Sequence, residues 1–269
     1  RAAKATHNLL RAHGHGYRAI KSERGSATVG ISNMFAPIYP HRGVDERLAR
    51  RVNEAFNALF MDPLFFGRYP KQLSRLIRLL NRSIRESDWE VIRTPPDFVG
   101  VNNYSRFIVR RLRLPLLGFR LARPDYLPVA FTDIGWEVYP QGFRRMLGWI
   151  RKRYGNPPIY ITENGAAYDE PLVEQQVRDH RRIDYLQRHL EQLQHGIDDG
   201  QDIRGYFVWS LLDNFEWAHG YSQRFGLVHV NYTTLQRTPK ESYWMYRDVC
   251  TTGTVMGGGE SELAVREET

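Results

Sequence analysis

Cysteine is almost absent from this chain, with Cys250 the sole thiol in 269 residues. That excludes an internal disulfide framework and any cysteine-based metal cluster, and it suits a reducing compartment. Long apolar runs are missing too. No stretch approaches the roughly 20 residues needed to cross a bilayer, and the first residues lack a secretory pattern, so a cytoplasmic protein with no membrane partner is expected. There is no phosphate-cradling glycine loop, no dinucleotide fingerprint and no His pair at metal-ligand spacing. The nine His residues read as surface or core groups. Charge is unbalanced, at net +8 with a pI near 9.6. Lys and Arg nevertheless lie scattered among acidic residues, which argues against a nucleic-acid partner. The densest cluster, Arg110-Arg111-Leu112-Arg113, reads as a solvated loop after a strand. The chain opens at Arg1, without an initiator Met and already inside a helical pattern, which predicts a fragment or a processed chain.

What is present is enough to build a large core: 42% of the residues are apolar, suiting one α/β domain or two small ones. Apolar spacing predicts a helix over 1–22 (Leu9, Leu10, Tyr17, Ile20), one after Asp45 (Leu48, Val52, Phe56, Leu59) and one from Lys71 (Leu73, Leu76, Ile77, Leu80, Ile84). Further helices are predicted over 141–154, along Ile183, Leu186, Leu190, Leu193 and Ile197, and over about 239–250. Four short apolar runs read as strands: 27–33, Phe98 to Asn102, Ile159 to Thr162 and Gly205 to Ser210. The third is expected to be buried on both faces. Apolar strands separated by helices predict a parallel sheet with right-handed crossovers. Four are too few to close a barrel, so an open strip leaves two bare edges and an inner face that something must cover. The connection from about 108 to 139 carries no clear pattern. A polar tail over 251–269, with Gly257-Gly258-Gly259, is expected to be mobile, leaving 1–250 as the folded part.

The most informative stretch runs from Tyr160 to Asp169, because it places Glu163 at the end of a buried strand just before Asn164-Gly165. In alternating β/α chains the ends of parallel strands carry active sites, although a helix-capping or salt-bridged Glu fits the same window. The segment from Trp209 to Gly220 gathers Trp209, Asp213, Glu216, Trp217 and His219 after another strand. Tryptophan faces stack on sugar rings and a carboxylate accepts bonds from two adjacent hydroxyls, so this loop and Glu163 together favour a carbohydrate site. The alternative is that both Trp simply cover the end of the sheet. Asn102-Asn103-Tyr104 ends a third strand, so the Tyr hydroxyl can reach a neighbouring carboxylate, or else be an ordinary buried Tyr. A Ser210, Asp213 and His219 triad is discounted, because Ser210 has no glycine-flanked elbow.

These residues resemble glycoside hydrolase family 1, the β-glucosidase and β-galactosidase family of retaining enzymes on a (β/α)8 TIM barrel. Ile161 to Gly165 is similar to the family's nucleophile motif, and Trp209 to Trp217 to its sugar-binding loop. Tyr221 to Leu227, Asp62-Pro63-Leu64-Phe65 and Asp133 to Glu137 resemble other family segments. The resemblance covers nearly the whole chain except the tail, and implies an α/β fold comprising roughly strands five to eight. It implies Glu163 as nucleophile, Tyr104 as its hydrogen-bond donor, and Asn102, Trp209, Glu216, Trp217 and Phe225 as sugar-binding residues. β-Linked glycosides are the implied substrates, with no metal or organic cofactor.

The family's acid/base Glu, in a Thr-Leu/Phe-Asn-Glu-Pro motif after strand four, has no counterpart here. Asn53-Glu54 is the only Asn-Glu pair, and Ala55 replaces the Pro. Retention needs two carboxyl groups about 5 to 5.5 Å apart. The resemblance therefore predicts a β-glucosidase-like retaining glycosidase whose acid/base half is not in this chain. The alternative is an inactive half-barrel that binds sugar or pairs with itself, and the expected protein partner is either an N-terminal half-barrel or a second copy covering the open edges. Glu137 and Asp213 are the remaining candidates for a substitute acid, without motif support.

Overall fold

A computed structural model describes residues 1–82, 84–112, 118–124 and 129–255. Helix α1 (Ala2–Glu23) leads through β1 (Gly30–Met34) and β2 (Ile38–Pro40) to α2 (Glu46–Asn53). A π-helical turn (Glu54–Ala58) joins α2 towards α3 (Met61–Phe66), followed by α4 (Lys71–Leu80), α5 (Asp88–Ile92) and β3 (Phe98–Asn102). Next come β4 (Phe107–Arg111), β5 (Phe119–Ala122), α6 (Pro140–Tyr154), β6 (Ile159–Asn164), α7 (His180–Asp198) and β7 (Ile203–Val208). The short β8 (Val228–Val230) and β9 (Arg237–Pro239) precede α8 (Glu241–Thr252).

Strands β1, β3, β6 and β7 form one parallel sheet in that order, so successive βα units lie side by side. These are the four strands legible in the sequence. Their alternate residues Val99, Val101, Ile159 and Ile161 are buried against Phe143, Leu147 and Ile150 of α6 and Leu190 and Leu193 of α7. The opposite face is mixed. Ser32 donates to Asn102 Oδ1 at 2.9 Å, Thr162 donates to the same oxygen at 2.5 Å, and the Phe98 and Tyr160 rings meet edge to face. The expectation that β6 is buried on both faces is thus corrected. Tyr160 and Thr162 are only half-buried, because among the described residues no second layer covers that face.

The connection over 108–139 contains structure that the sequence did not signal. Strand β4 pairs in parallel with β2 and antiparallel with β5. Arg110 and Arg111 therefore lie in a strand rather than in a solvated loop, with Arg110 opposite Arg120; Arg113 lies outside the described residues. The reason is tertiary, since a five-residue strand is fixed by its neighbours more than by its own pattern. In α1, Leu10 is buried whereas Leu9 and Ile20 are exposed. The last helix reaches Thr252, and of the expected tail, 256–269 lies outside the described residues. Among the described residues no helix is long and apolar enough to cross a membrane.

The core face of α7 is more polar than its leucine spacing suggests, because it also buries Arg182, Tyr185 and His189, while Ile197 is exposed. His189 stacks on Tyr185 with centroids 4.0 Å apart, and its Nδ1–H donates to the Tyr185 carbonyl at 2.7 Å. Burial pushes its pKa from 6.5 down to about 4. Between those pH values the unfolded chain binds a proton that the folded chain refuses. Stability should therefore fall as pH drops from 6.5 towards 4, by up to about 1.4 kcal/mol per pH unit. Urea midpoints measured across that window should show the slope, and His189→Gln should flatten it. Equal slopes in both proteins would assign the loss to other groups.

Candidate active site

Three strand ends are tied together where β3, β6 and β7 finish. The Asn103 amide donates to the Glu163 carbonyl at 2.9 Å, and the Trp209 amide donates to the Asn164 carbonyl at 2.9 Å. Asn164 is fully buried; its Nδ2 donates to the Asn103 carbonyl (2.8 Å) and the Tyr185 hydroxyl (3.0 Å), and its Oδ1 accepts from Tyr206 (2.6 Å). Gly165 comes next because no side chain fits there: a Cβ would sit 1.8 Å from the Trp209 carbonyl oxygen. The motif around Glu163 thus serves as a backbone splice between neighbouring strands.

At this splice the Tyr104 hydroxyl donates to Glu163 Oε2 at 2.6 Å. Tyr104 is 8% exposed. Burial, then the bond to Glu163, push its pKa far above the ordinary tyrosine range, so it stays a donor at any working pH. Its ring lies 5.1 Å from Trp136 and 6.0 Å from Phe225 between centroids, and Trp209 packs against the same cluster. Glu216 also feels the site. Its pKa is raised by burial and, after an opposing effect of His219, by the charge of Glu163.

The structure therefore gathers Tyr104, Glu163, Trp209 and Phe225, with Glu216 within electrostatic reach. Asn102 lies on the adjoining strand end, where its Oδ1 holds Ser32 and Thr162, and its Nδ2 makes no hydrogen bond among the described residues. Trp217 sits apart from the packed cluster, 82% exposed on a short 3-10 turn over Trp217–His219. Ser210 Oγ donates to the Leu212 carbonyl and accepts from Asn214, and Asp213 is held by two cations, so those residues form no triad.

Neither substitute acid is free to act. Glu137 takes a bidentate bond from Arg106, whose guanidinium also lies 3.6 Å from the Tyr139 ring centre. Asp213 accepts from Lys240 Nζ at 2.9 Å, Arg224 Nη1 at 2.8 Å and the Gly226 amide at 2.9 Å. Burial raises its pKa, but Lys240 and Arg224 together hold it below the usual carboxylate value. Asn53 ends α2 and Glu54 begins the π-helical turn, within the helical segment expected for the pair.

Two groups escaped the sequence. Trp136 and Tyr104 border a cavity of about 400 Å³ whose other walls include Phe107, Leu121, Arg123 and Phe131. The Asp133 to Glu137 segment was the only signal for it. Arg182, 1% exposed, donates from Nε to Asp179 (2.8 Å), from Nη1 to the Ala166 and Phe225 carbonyls, and from Nη2 to the Tyr168 and Arg224 carbonyls. One guanidinium thereby clamps the loop after Glu163 to the loop that carries Phe225.

Comparison with known proteins bears on the family and the fold. Beta-glucosidase A of Acetivibrio thermocellus is 36% identical over 251 residues, an overlap covering 91% of this chain and 56% of the relative. The 1,4-beta-D-glucan glucohydrolase of Thermotoga neapolitana is 38% identical over 257 residues, with 92% and 56% covered. Among solved structures, the beta-glucosidase from Thermotoga maritima in complex with castanospermine superposes with a TM-score of 0.89 at 37% identity, covering 95% of this chain and 57% of that one. The chain spans about half the length of the curated relatives it matches. Its fold is part of a (β/α)8 barrel, with β1, β3, β6 and β7 as roughly strands five to eight. The model of Glycosyl hydrolase family 1 matches residues 1–254, and the chain belongs to that family.

Proposed function

We propose that this chain carries the nucleophile half of a retaining, β-glucosidase-like enzyme that hydrolyses terminal β-D-glycosides through a covalent glycosyl-enzyme intermediate. The observation that supports it most is the 2.6 Å bond from Tyr104 to Glu163 beside the Trp209 and Phe225 cluster. Glu163 attacks the anomeric carbon while Tyr104 holds the attacking carboxylate in orientation. Trp209 forms the apolar floor for the sugar, Phe225 closes the wall behind it, and Glu216 and Asn102 bind hydroxyls. Exposed Trp217 meets the sugar from the open side. The cavity beside Trp136 receives the leaving group. The names of the relatives favour glucose as the sugar, and the lone exposed Cys250 suits a cytoplasmic setting.

The second carboxyl comes from an N-terminal half-barrel that also covers the open sheet. General acid/base help is worth about 100- to 10,000-fold. A substrate with an activated leaving group needs little protonation, so it isolates the step that this chain performs. The test is 2,4-dinitrophenyl 2-deoxy-2-fluoro-β-glucoside, read by intact mass and peptide mapping with and without an N-terminal half. A label on Glu163 supports the proposal; an unlabelled chain in both mixtures overturns it. Tyr104→Phe should slow labelling roughly 10- to 100-fold, the worth of one hydrogen bond to a charged group, with little change in melting. An unchanged rate would reduce Tyr104 to packing.

A second reading, a self-associating half-barrel without activity, draws on Met34 of β1 and Phe207 of β7, 46% and 58% exposed on the two end strands. Light scattering separates the two: a stable monomer counts against self-association.

A further inference from the structure

Helix α4 has three faces of different chemistry. Leu73 and buried Ile77 pack into the cluster of Leu10, Leu64, Tyr69 and Ile92. Leu76, Leu79 and Leu80, spaced to share one side of the helix, are 51%, 65% and 62% exposed. Beyond them Lys71, Arg75, Arg78 and, in the following turn, Arg82 repeat at four-three-four spacing, all exposed. The helix contains no Asp or Glu. Lys and Arg are scattered over the chain as a whole, yet here they form a stripe beside a ridge of leucines that water surrounds.

We propose that α4 is a peripheral docking surface for an anionic lipid bilayer. The ridge enters the boundary between headgroups and acyl chains, while the Lys71 and Arg stripe meets lipid phosphates and the long side chains reach up to them. Charge complementarity selects this occupant, and the leucines narrow it further. A nucleic acid uses the cations but gains nothing from three exposed leucines. A protein groove reads an apolar face over two turns or more, and α4 has already spent part of that face on Leu73 and Ile77. A bilayer accepts a short, shallow ridge. None of its residues lines the site, so failure of this proposal and failure of the glycosidase reading are read separately, by vesicle binding and by labelling.

The experiment is co-sedimentation of the chain with phosphatidylcholine vesicles, with and without phosphatidylserine, at low and high salt. The expected result is binding to the phosphatidylserine vesicles alone. Arg78→Glu with Arg82→Glu should weaken it roughly 100-fold, and Leu76→Ser with Leu79→Ser roughly tenfold. These positions are exposed, so both variants should keep the parent's circular dichroism and melting. Failure to bind, equal binding to both vesicle types, or an arginine variant that binds like the parent would overturn the proposal. So would leucine variants that bind like the parent, since they would reduce α4 to a simple cationic surface for any polyanion. Fluoroglycoside labelling should be the same in all variants.

Discussion

Glu163→Gln should abolish covalent labelling by the fluoroglucoside and lower turnover of an activated β-glucoside by roughly four orders of magnitude or more, measured with the N-terminal half present. The carboxamide keeps the size and hydrogen-bond geometry of the carboxylate, so Tyr104 still has an acceptor at 2.6 Å and the splice of β3, β6 and β7 is untouched. What disappears is the nucleophilic oxygen, without which no glycosyl-enzyme forms. Two readouts keep the result clear. Melting should match the parent, because the backbone bonds of residues 163 and 164 do not depend on the side-chain charge. The amide should also leave binding of the sugar by Trp209 and Glu216 in place, measurable by calorimetry. Labelling of the variant at the parental rate would remove Glu163 from the chemistry, while loss of melting stability would show that the charge is structural.

Arg182→Met should destabilise the chain by about 3 to 5 kcal/mol, the cost of leaving a buried charge without its partner. Asp179 has no exposed side-chain surface, and among the described residues it accepts, beyond Arg182, only the Ser242 amide and hydroxyl, at 2.9 and 2.6 Å. The carbonyls of Ala166, Tyr168, Arg224 and Phe225 also lose one donor each, although those of Arg224 and Phe225 keep the Tyr168 and Ser210 amides. A loss of this size is a large part of the stability of an ordinary domain. The urea midpoint should fall accordingly. Arg182→Met with Asp179→Asn should recover part of the loss, because neutralising the orphaned carboxylate removes the costliest group while keeping an acceptor for Ser242. Equal midpoints for the single and double variants would mean that the carbonyls, not the charge, carry the penalty. Labelling at Glu163 should fall in both, since the same guanidinium sets the distance between the loop after Glu163 and that of Phe225.

Much of the candidate site was legible because its side chains sit at the ends of short apolar runs. Phe98 to Asn102 and Ile159 to Thr162 could be recognised by β-branched content and entry through proline pairs, and Tyr104 and Glu163, two residues and one residue beyond those runs, are placed by the strands that carry them. Trp209 and Glu216 were legible within a dense group after a strand, and Phe225 only through the family resemblance. Trp136 was harder, because it lies in a connection whose strands β4 and β5 exist through their pairing with one another and with β2.

The sequence by itself determined the four parallel strands, the helices between them, and the carboxylate and aromatic groups at the strand ends. Apolar periodicity and strand-end motifs are local properties, and burial of one face is enough to enforce them. Only the tertiary structure decided which polar residues were inside. Arg182 is one of 38 Lys and Arg residues and His189 one of nine His. Both look like the solvated side of an amphipathic helix until distant carbonyls and rings close around them. The same holds for α4, where the core took Leu73 and Ile77 but left Leu76, Leu79 and Leu80 in water. A helix's apolar residues specify that it has an inner face, but how wide that face is depends on how much neighbouring surface arrives to cover it, and that is set by the packing of elements far apart in the chain.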